Sequence, residues 1–274
     1  MNSLPYGYHV RANGVRQHLL RYEGNGPRLL LLPGITSPAI TWGFVAERLA
    51  RHFDVHVLDF RGRGLSYSEP GMVATLDAMV SDVLDLLDVQ GWTSVTLLGH
   101  SMGARVAIRA AARNPERIEK LLLIDPPVSG PGRRPYPYPL SWYIDSIRLA
   151  NQGTTAEALR SFAPTWTEEQ LRLRAEWLHT CNEDAIKQAH CGFHDDDIHS
   201  DFPKLRTPGI LMAAGRGDVM LPEDLAEIGT LAPALTQCTV ANAGHMIPWD
   251  NEEEFFRLLG DYLKVDLPVC SRAV

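Results

Sequence analysis

Residues 94–103 read Ser-Val-Thr-Leu-Leu-Gly-His-Ser-Met-Gly, and the interpretation of the whole chain starts from them. Residues 95–98 are an apolar run that predicts a strand, and residues 104–113 have the composition of a helix. Between them lies G-x-S-x-G, a motif that has chemical meaning when it joins a strand to a helix. Such a turn holds the Ser101 hydroxyl clear of the sheet, in front of the positive end of the helix. We therefore predict that Ser101 is a nucleophile.

Steric crowding explains the two glycines of the motif. A side chain on Gly99 or Gly103 would collide with the neighbouring strand or helix. The serine hydroxyl also needs a base to take its proton, so the rest of the chain must supply a histidine and usually a carboxylate.

Composition limits the kind of protein and its partners. The chain has 274 residues with 45% apolar content, which is enough for one large α/β domain with an insertion. Its formal net charge is −7 at pH 7, and its isoelectric point is about 5.8. Acidic proteins repel phosphate backbones and anionic lipids, so we expect neither nucleic acid nor a membrane as a partner. The sequence also contains no apolar stretch of membrane-spanning length.

The N-terminal residues and the cysteines predict the cellular compartment. Residues 1–5 lack the basic and apolar regions of a signal peptide, which favours a cytoplasmic protein. The cysteines are scattered without C-x-x-C spacing, so in a domain of this size we expect free thiols rather than disulfides. They are Cys181, Cys191, Cys238 and Cys270.

Strand and helix patterns alternate along most of the chain. Asn13-Gly14 lies between two strand-like segments and predicts a hairpin. After the hairpin, apolar runs typical of buried parallel strands alternate with segments of helical periodicity. The predicted strands are 8–12, 15–22, 28–32, 55–58, 95–98, 121–124, 209–213 and 237–240, and the predicted helices are 42–52, 76–87, 104–113, 222–231 and 252–263. This order predicts an α/β fold with a mostly parallel central sheet and helices on both faces.

The alternation is interrupted between residues 126 and 203. The interruption begins with closely spaced prolines, which exclude a regular strand or helix interior. Helical patterns follow at 142–149, 155–162 and 168–179, and their aromatic residues favour a packed element. We expect a helical cap at 126–203, inserted over the carboxyl edge of a core domain that comprises residues 1–125 and 204–274.

His245 is the candidate base. It lies in the loop between the last predicted strand and the last helix, where Gly244 lets the backbone turn so that the imidazole can face Ser101. In parallel sheets, catalytic residues lie at the carboxyl ends of strands. His245 also comes last in the chain order serine, acid, histidine.

Two aspartates are candidates for the acid. Asp218 lies in the glycine-containing loop after the predicted strand 209–213, and Asp125 directly follows the predicted strand 121–124. Either carboxylate could face the far imidazole nitrogen, fix its tautomer and stabilise the imidazolium ion. The sequence leaves both open.

An oxyanion hole needs two N–H groups aimed at the place where negative charge develops. The Met102 N–H is one candidate, since it follows the nucleophile at the start of a helix. The second is the Ile35 N–H in the loop after the predicted strand 28–32, where Gly34 permits close approach of the backbone to a substrate.

Taken together, these segments resemble the α/β-hydrolase superfamily. The resemblance extends from about residue 7 to residue 263 and is specific because several motifs combine. It rests on Pro33-Gly34, the sequence DFRGRGLS at 59–66, the GHSMG motif, residues 215–218 and Gly244-His245. One departure is Pro33, which stands where the family usually has a histidine. The loop therefore lacks a side chain that braces it in the family. The backbone N–H of Ile35 is still present as a donor.

The resemblance implies hydrolysis by acyl transfer from Ser101 to water, with no cofactor and no metal. A serine nucleophile excludes relatives that use an aspartate, such as haloalkane dehalogenases and epoxide hydrolases. Esters, thioesters, lactones, amides and some carbon–carbon bonds remain, and the overall likeness implies a small anionic acyl substrate. Its carboxylate needs a basic group facing the cleft, for which Arg133, Arg134 and the histidines of the cap are candidates.

Two other functions compete with this interpretation. One is an esterase, lactonase or carbon–carbon hydrolase of aromatic degradation, which the chemistry of the cap decides. The other is a non-catalytic binding protein on the same fold, against which the intact serine, histidine and acid argue.

A cluster rich in histidine and aspartate, residues 190–199, has the composition of a metal site. Its spacing matches no structural zinc pattern, so we interpret it as a solvated acidic loop.

Overall fold

The predicted alternation builds one eight-stranded sheet in a computed structural model that describes residues 4–268. The strand order is β1-β2-β4-β3-β5-β6-β7-β8, and the pairs from β4 to β8 are parallel. The strands are β1 (Tyr6–Ala12), β2 (Val15–Tyr22), β3 (Arg28–Leu32), β4 (Asp54–Asp59), β5 (Val95–His100), β6 (Ile118–Ile124), β7 (Gly209–Ala214) and β8 (Leu235–Val240). The α/β fold with a mostly parallel sheet is therefore confirmed.

The antiparallel edge of the sheet begins at the predicted hairpin. Asn13 and Gly14 form its two-residue turn with positive φ angles of 48° and 72°, the backbone conformation that this residue pair tolerates best. The hairpin then pairs with the parallel part of the sheet through β2 and β4.

The helices cover the sheet because their apolar faces need burial. They are α1 (Gly43–Leu49), α2 (Leu76–Val89), α3 (Met102–Arg113), α4 (Leu140–Asn151), α5 (Ala156–Leu159), α6 (Glu168–Trp177), α7 (Glu183–Asp195), α8 (Pro222–Leu231), α9 (Ile247–Asp250) and α10 (Glu252–Leu263). Strand β5 and nearly all of α3 are buried, which places the nucleophile turn at the centre of the molecule. No helix within residues 4–268 is long and apolar enough to cross a membrane.

Helices α4 to α7 lie between β6 and β7 and are tied to the core by a buried arginine. Arg105, on α3, donates hydrogen bonds of 2.7–3.0 Å to four backbone carbonyls of this segment. Those of Pro127 and Ser129 belong to its beginning, and those of Gly192 and Asp196 to its end. One guanidinium therefore clamps both ends of the segment onto the helix that carries the nucleophile.

The interpretation of residues 190–199 as a solvated loop is wrong. Residues 190–195 form the last turns of α7, and His190 and Phe193 are buried there. The apolar residues 185, 186, 189 and 193 have helical spacing, and Asn182 caps the helix, so the local signal for a helix was present. The polar residues diverge, and no three metal-binding side chains come together in the part of the chain that the structure describes.

The three cysteines within the described residues, Cys181, Cys191 and Cys238, are free thiols as predicted. Burial raises the pKa of the Cys181 thiol to about 12, so it remains protonated. Cys270 lies outside the described residues.

Candidate active site

Ser101 occupies a strained turn between β5 and α3. Its backbone has φ 53° and ψ −120°, a conformation that side chains rarely adopt and that commonly marks a functional site. The neighbouring glycines have the predicted steric role. A Cβ on Gly99 would lie 2.6 Å from the Cα of Ala104, and a Cβ on Gly103 would lie 1.9 Å from the carbonyl oxygen of Leu32. Backbone on both sides thus requires glycine and holds the turn in place.

His245 connects the serine to a carboxylate. Its Nε2 lies 2.9 Å from the Ser101 Oγ, and its Nδ1 lies 2.7 Å from Oδ2 of Asp125. The three residues come from the ends of β5, β8 and β6, which meet at the carboxyl edge of the sheet. This arrangement can transfer a proton from the hydroxyl to the imidazole while the carboxylate stabilises the resulting charge.

Of the two candidate acids, the structure places Asp125 against the histidine. Asp125 is fully buried, has a positive φ of 44°, and accepts a second hydrogen bond of 3.1 Å from the Ala214 N–H. Asp218 is exposed, and its carboxylate contacts the Tyr138 hydroxyl instead. The short connection from β6 brings Asp125 to the imidazole, whereas the longer loop after β7 carries Asp218 to the rim of the cavity.

The oxyanion candidates lie on either side of the serine. Met102 is the first residue of α3, where the N–H groups have no acceptor within the helix. Ile35 is buried in the loop after β3, and Gly34 packs so closely that a Cβ there would lie 2.9 Å from Nδ1 of His100. This loop is braced by Arg63, whose Nε donates a 3.0 Å hydrogen bond to the Ile35 carbonyl.

Arg63 thus braces the loop in which Pro33 replaces the usual histidine. The guanidinium is fully buried, also donates to the Arg61 carbonyl, and contacts the Met102 sulfur. Sequence reasoning missed this residue, although its place in the DFRGRGLS segment, next to a loop that needs a brace, was a usable signal.

His100, which precedes the nucleophile, supports the loop of the base. Its Nε2 donates a 3.0 Å hydrogen bond to the backbone carbonyl of His245. Burial holds the pKa of His100 down at about 3, so the ring is neutral. Its Nδ1 has no hydrogen-bond partner within residues 4–268. Its role is to hold the catalytic loop in place rather than to carry charge.

A cavity of about 190 Å³ opens directly above Ser101 and His245. Its walls come from both the sheet edge and the helices between β6 and β7. Aromatic rings form much of the lining, and they belong to Tyr138, Trp142, Tyr143, Phe162 and Trp166. Trp166 stacks on Trp249 with ring centroids 5.5 Å apart. Such a small, mostly apolar pocket suits a compact substrate shielded from water.

None of the candidate basic groups for the substrate carboxylate lines the cavity, neither the two arginines nor the histidines of residues 126–203. Arg133 donates two hydrogen bonds to Glu227, and Arg134 donates one of 2.7 Å to Asp224. Both are partly exposed, and neither lines the cavity. The charged residues that do line it are Arg174 and Asp250, which sequence reasoning did not single out.

This fold and site define a class of protein, and comparison with known sequences agrees. Residues 29–258 match the alpha/beta hydrolase family, and the chain belongs to this family.

Two relatives from Pseudomonas putida are similar over almost the full length. The chain is 55% identical over 263 residues to an N-formylmaleamate deformylase, covering 96% of this chain and 98% of the relative. It is 57% identical to a solved structure of N-formylmaleamic acid deformylase, with a TM-score of 0.89, covering 93% of this chain and 100% of that one.

A more distant structure shows the fold alone. It is an E-2-(acetamidomethylene)succinate hydrolase, 21% identical, with a TM-score of 0.79, and the match covers 96% of this chain and 100% of that one.

Proposed function

We propose that this protein hydrolyses N-formylmaleamate to maleamate and formate. The observation that carries the proposal is the 55% identity to an N-formylmaleamate deformylase across 96% of the chain. The contacts of Ser101, His245 and Asp125 support it, since they supply a nucleophile, a base and a charge to stabilise that base.

In the first half-reaction, Ser101 attacks the formyl carbon while Nε2 of His245 takes its proton. The Met102 and Ile35 N–H groups hold the oxyanion of the tetrahedral intermediate. Asp125 stabilises the imidazolium ion through the 2.7 Å contact with Nδ1. The imidazolium then protonates the departing nitrogen, the carbon–nitrogen bond breaks, and maleamate leaves a formyl ester on the serine.

In the second half-reaction, water takes the place that the maleamate nitrogen has left beside the formyl carbon. His245 takes a proton from the water as its oxygen attacks the formyl ester, and the same N–H groups hold the second oxyanion. The imidazolium returns a proton to Ser101 Oγ, and formic acid is released, which loses its proton to water and becomes formate. Because His245 acts first as a base and then as an acid in each half-reaction, one residue serves both steps.

The electronic structure of the substrate favours this route. The nitrogen of N-formylmaleamate lies between two carbonyl groups, so its lone pair is shared. The formyl carbon is therefore more electrophilic than that of a simple amide, and maleamate is a better leaving group. We assign residues 126–203 as the cap that shields this chemistry, because its helices supply the aromatic walls of the cavity.

Formate release by the purified protein, measured beside the Ser101→Ala variant, tests the proposal. We expect rapid, stoichiometric release of formate and maleamate that disappears in the variant. A fluorophosphonate probe should label Ser101 in the wild-type protein only. Labelling without formate release would overturn the assignment of N-formylmaleamate as the substrate. Absence of both labelling and formate release would favour a non-catalytic binding protein.

A further inference from the structure

Arg174 is a buried cation in the wall of the cavity. It lies on α6, and its side chain lines the same cavity as Ser101 and His245. Only 6% of the residue is exposed. Burying a guanidinium is costly unless a negative group compensates its charge, so its partners need to be identified.

Within residues 4–268, Arg174 has no carboxylate partner. Its hydrogen bonds are two long ones to Thr36, of 3.5 Å to the carbonyl and 3.3 Å to Oγ1. The guanidinium carbon Cζ lies over the rings of Trp142 and Trp166, 5.9 and 5.6 Å from their centroids. A guanidinium has five N–H donors, so these contacts leave donors without a protein acceptor in a residue that lines the cavity. Burial accordingly lowers the pKa of Arg174.

The other charged groups near the site are already satisfied. Asp250 accepts hydrogen bonds from the Gly244 N–H and the Thr165 hydroxyl, at 2.9 and 2.7 Å. Arg63 donates to two backbone carbonyls. The hydrogen bonds of both groups are thus short and well formed, whereas Arg174, which lines the cavity, has only the two long ones to Thr36.

Building on the proposed function, we infer that Arg174 binds the carboxylate of the substrate and sets the specificity for an anionic acyl compound. A planar guanidinium suits a planar carboxylate, and the two neighbouring indole rings restrict its orientation. Thr36 follows Ile35 in the oxyanion loop, so its contacts tie Arg174 to the loop that receives the formyl oxygen. Arg174 and the oxyanion loop thus form one hydrogen-bonded unit. This unit positions the carboxylate at one end of the substrate and the formyl group at the other.

The test compares a charged and a neutral substrate in matched variants. Arg174→Met keeps the unbranched stem of the side chain and removes the charged guanidinium, while Arg172→Met makes the same change on the exposed face of α6. We expect Arg174→Met to lower kcat/KM for N-formylmaleamate by roughly 100-fold or more. The methyl ester of the substrate, which has no carboxylate, should lose less than roughly fivefold, with Arg172→Met near wild type for both. Equal losses for the acid and the ester would overturn the inference, and so would a retained rate with the acid.

Probe protection separates this inference from the proposed deformylation. Maleate should slow labelling of Ser101 by a neutral fluorophosphonate in the wild-type protein and in Arg172→Met, and this protection should disappear in Arg174→Met. That result would support the anion site even if no formate were released. Equal protection of all three proteins, or protection of none, would overturn the site even if deformylation were observed.

Discussion

Asp125→Asn is the substitution that most directly probes the arrangement of the site. The side chain keeps its shape, so the packing around this fully buried residue is preserved. The carboxylate that faces Nδ1 of His245 becomes a neutral amide. If the amide donates to Nδ1, the imidazole proton moves to Nε2, which then has no lone pair to accept the proton of Ser101.

The size of the effect follows from the contact distance. At 2.7 Å and an effective dielectric constant of ~20, Coulomb's law gives about 6 kcal/mol for the attraction between the Asp125 carboxylate and a protonated His245. This charge pair forms in the transition state and is absent from the resting serine–imidazole pair. Since about 1.4 kcal/mol corresponds to a tenfold change in rate, this attraction corresponds to roughly 10⁴-fold, and we expect kcat to fall by about that factor.

Formate release under saturating substrate measures this loss, with thermal unfolding as a check that the variant folds. The matched control is Asp218→Asn, which removes a carboxylate at the exposed rim and should cost less than roughly fivefold. A folded Asp125→Asn variant that kept more than a tenth of the activity would show that this carboxylate is not needed to stabilise the imidazolium ion. Equal losses in the two variants would contradict the assignment of Asp125 over Asp218.

Three further substitutions test the framework around the site. Gly103→Ala should lower the free energy of unfolding by about 3 kcal/mol or more in urea titrations, because the new Cβ would lie 1.9 Å from the Leu32 carbonyl oxygen; unchanged stability would contradict this packing. Arg105→Met should cost about 3 kcal/mol and speed proteolysis within residues 126–203, since two buried and two partly buried carbonyls lose their donor. Because burial holds the pKa of His100 at about 3, below its ordinary value of 6.5, the stability that this residue contributes is complete above about pH 6.5 and is lost as the pH falls toward 3. His100→Gln should therefore flatten the dependence of unfolding free energy on pH in this range, and an unchanged profile would show that His100 is not the group responsible.

Local patterns in the sequence determined the fold and the turn around Ser101. Buried parallel strands require continuous apolar runs, and the helices that cover them require apolar residues at helical spacing, so both are visible along the chain. The glycines of the GHSMG motif are equally local, since they relieve contacts with residues whose place follows from the same strand and helix. His245 could be singled out because its loop, its preceding glycine and its place in the chain order all agree.

The identity of the carboxylate beside His245 and the cation in the cavity was decided only by the tertiary structure. Asp125 and Asp218 both follow strands that end at the same edge of the sheet, and the path of each loop determines which one reaches the imidazole. Arg174 has no distinguishing local pattern on α6. Its significance arises because folding buries it against Thr36 and two indole rings without a carboxylate, and burial and the absence of a partner are properties of contacts between residues far apart in the chain.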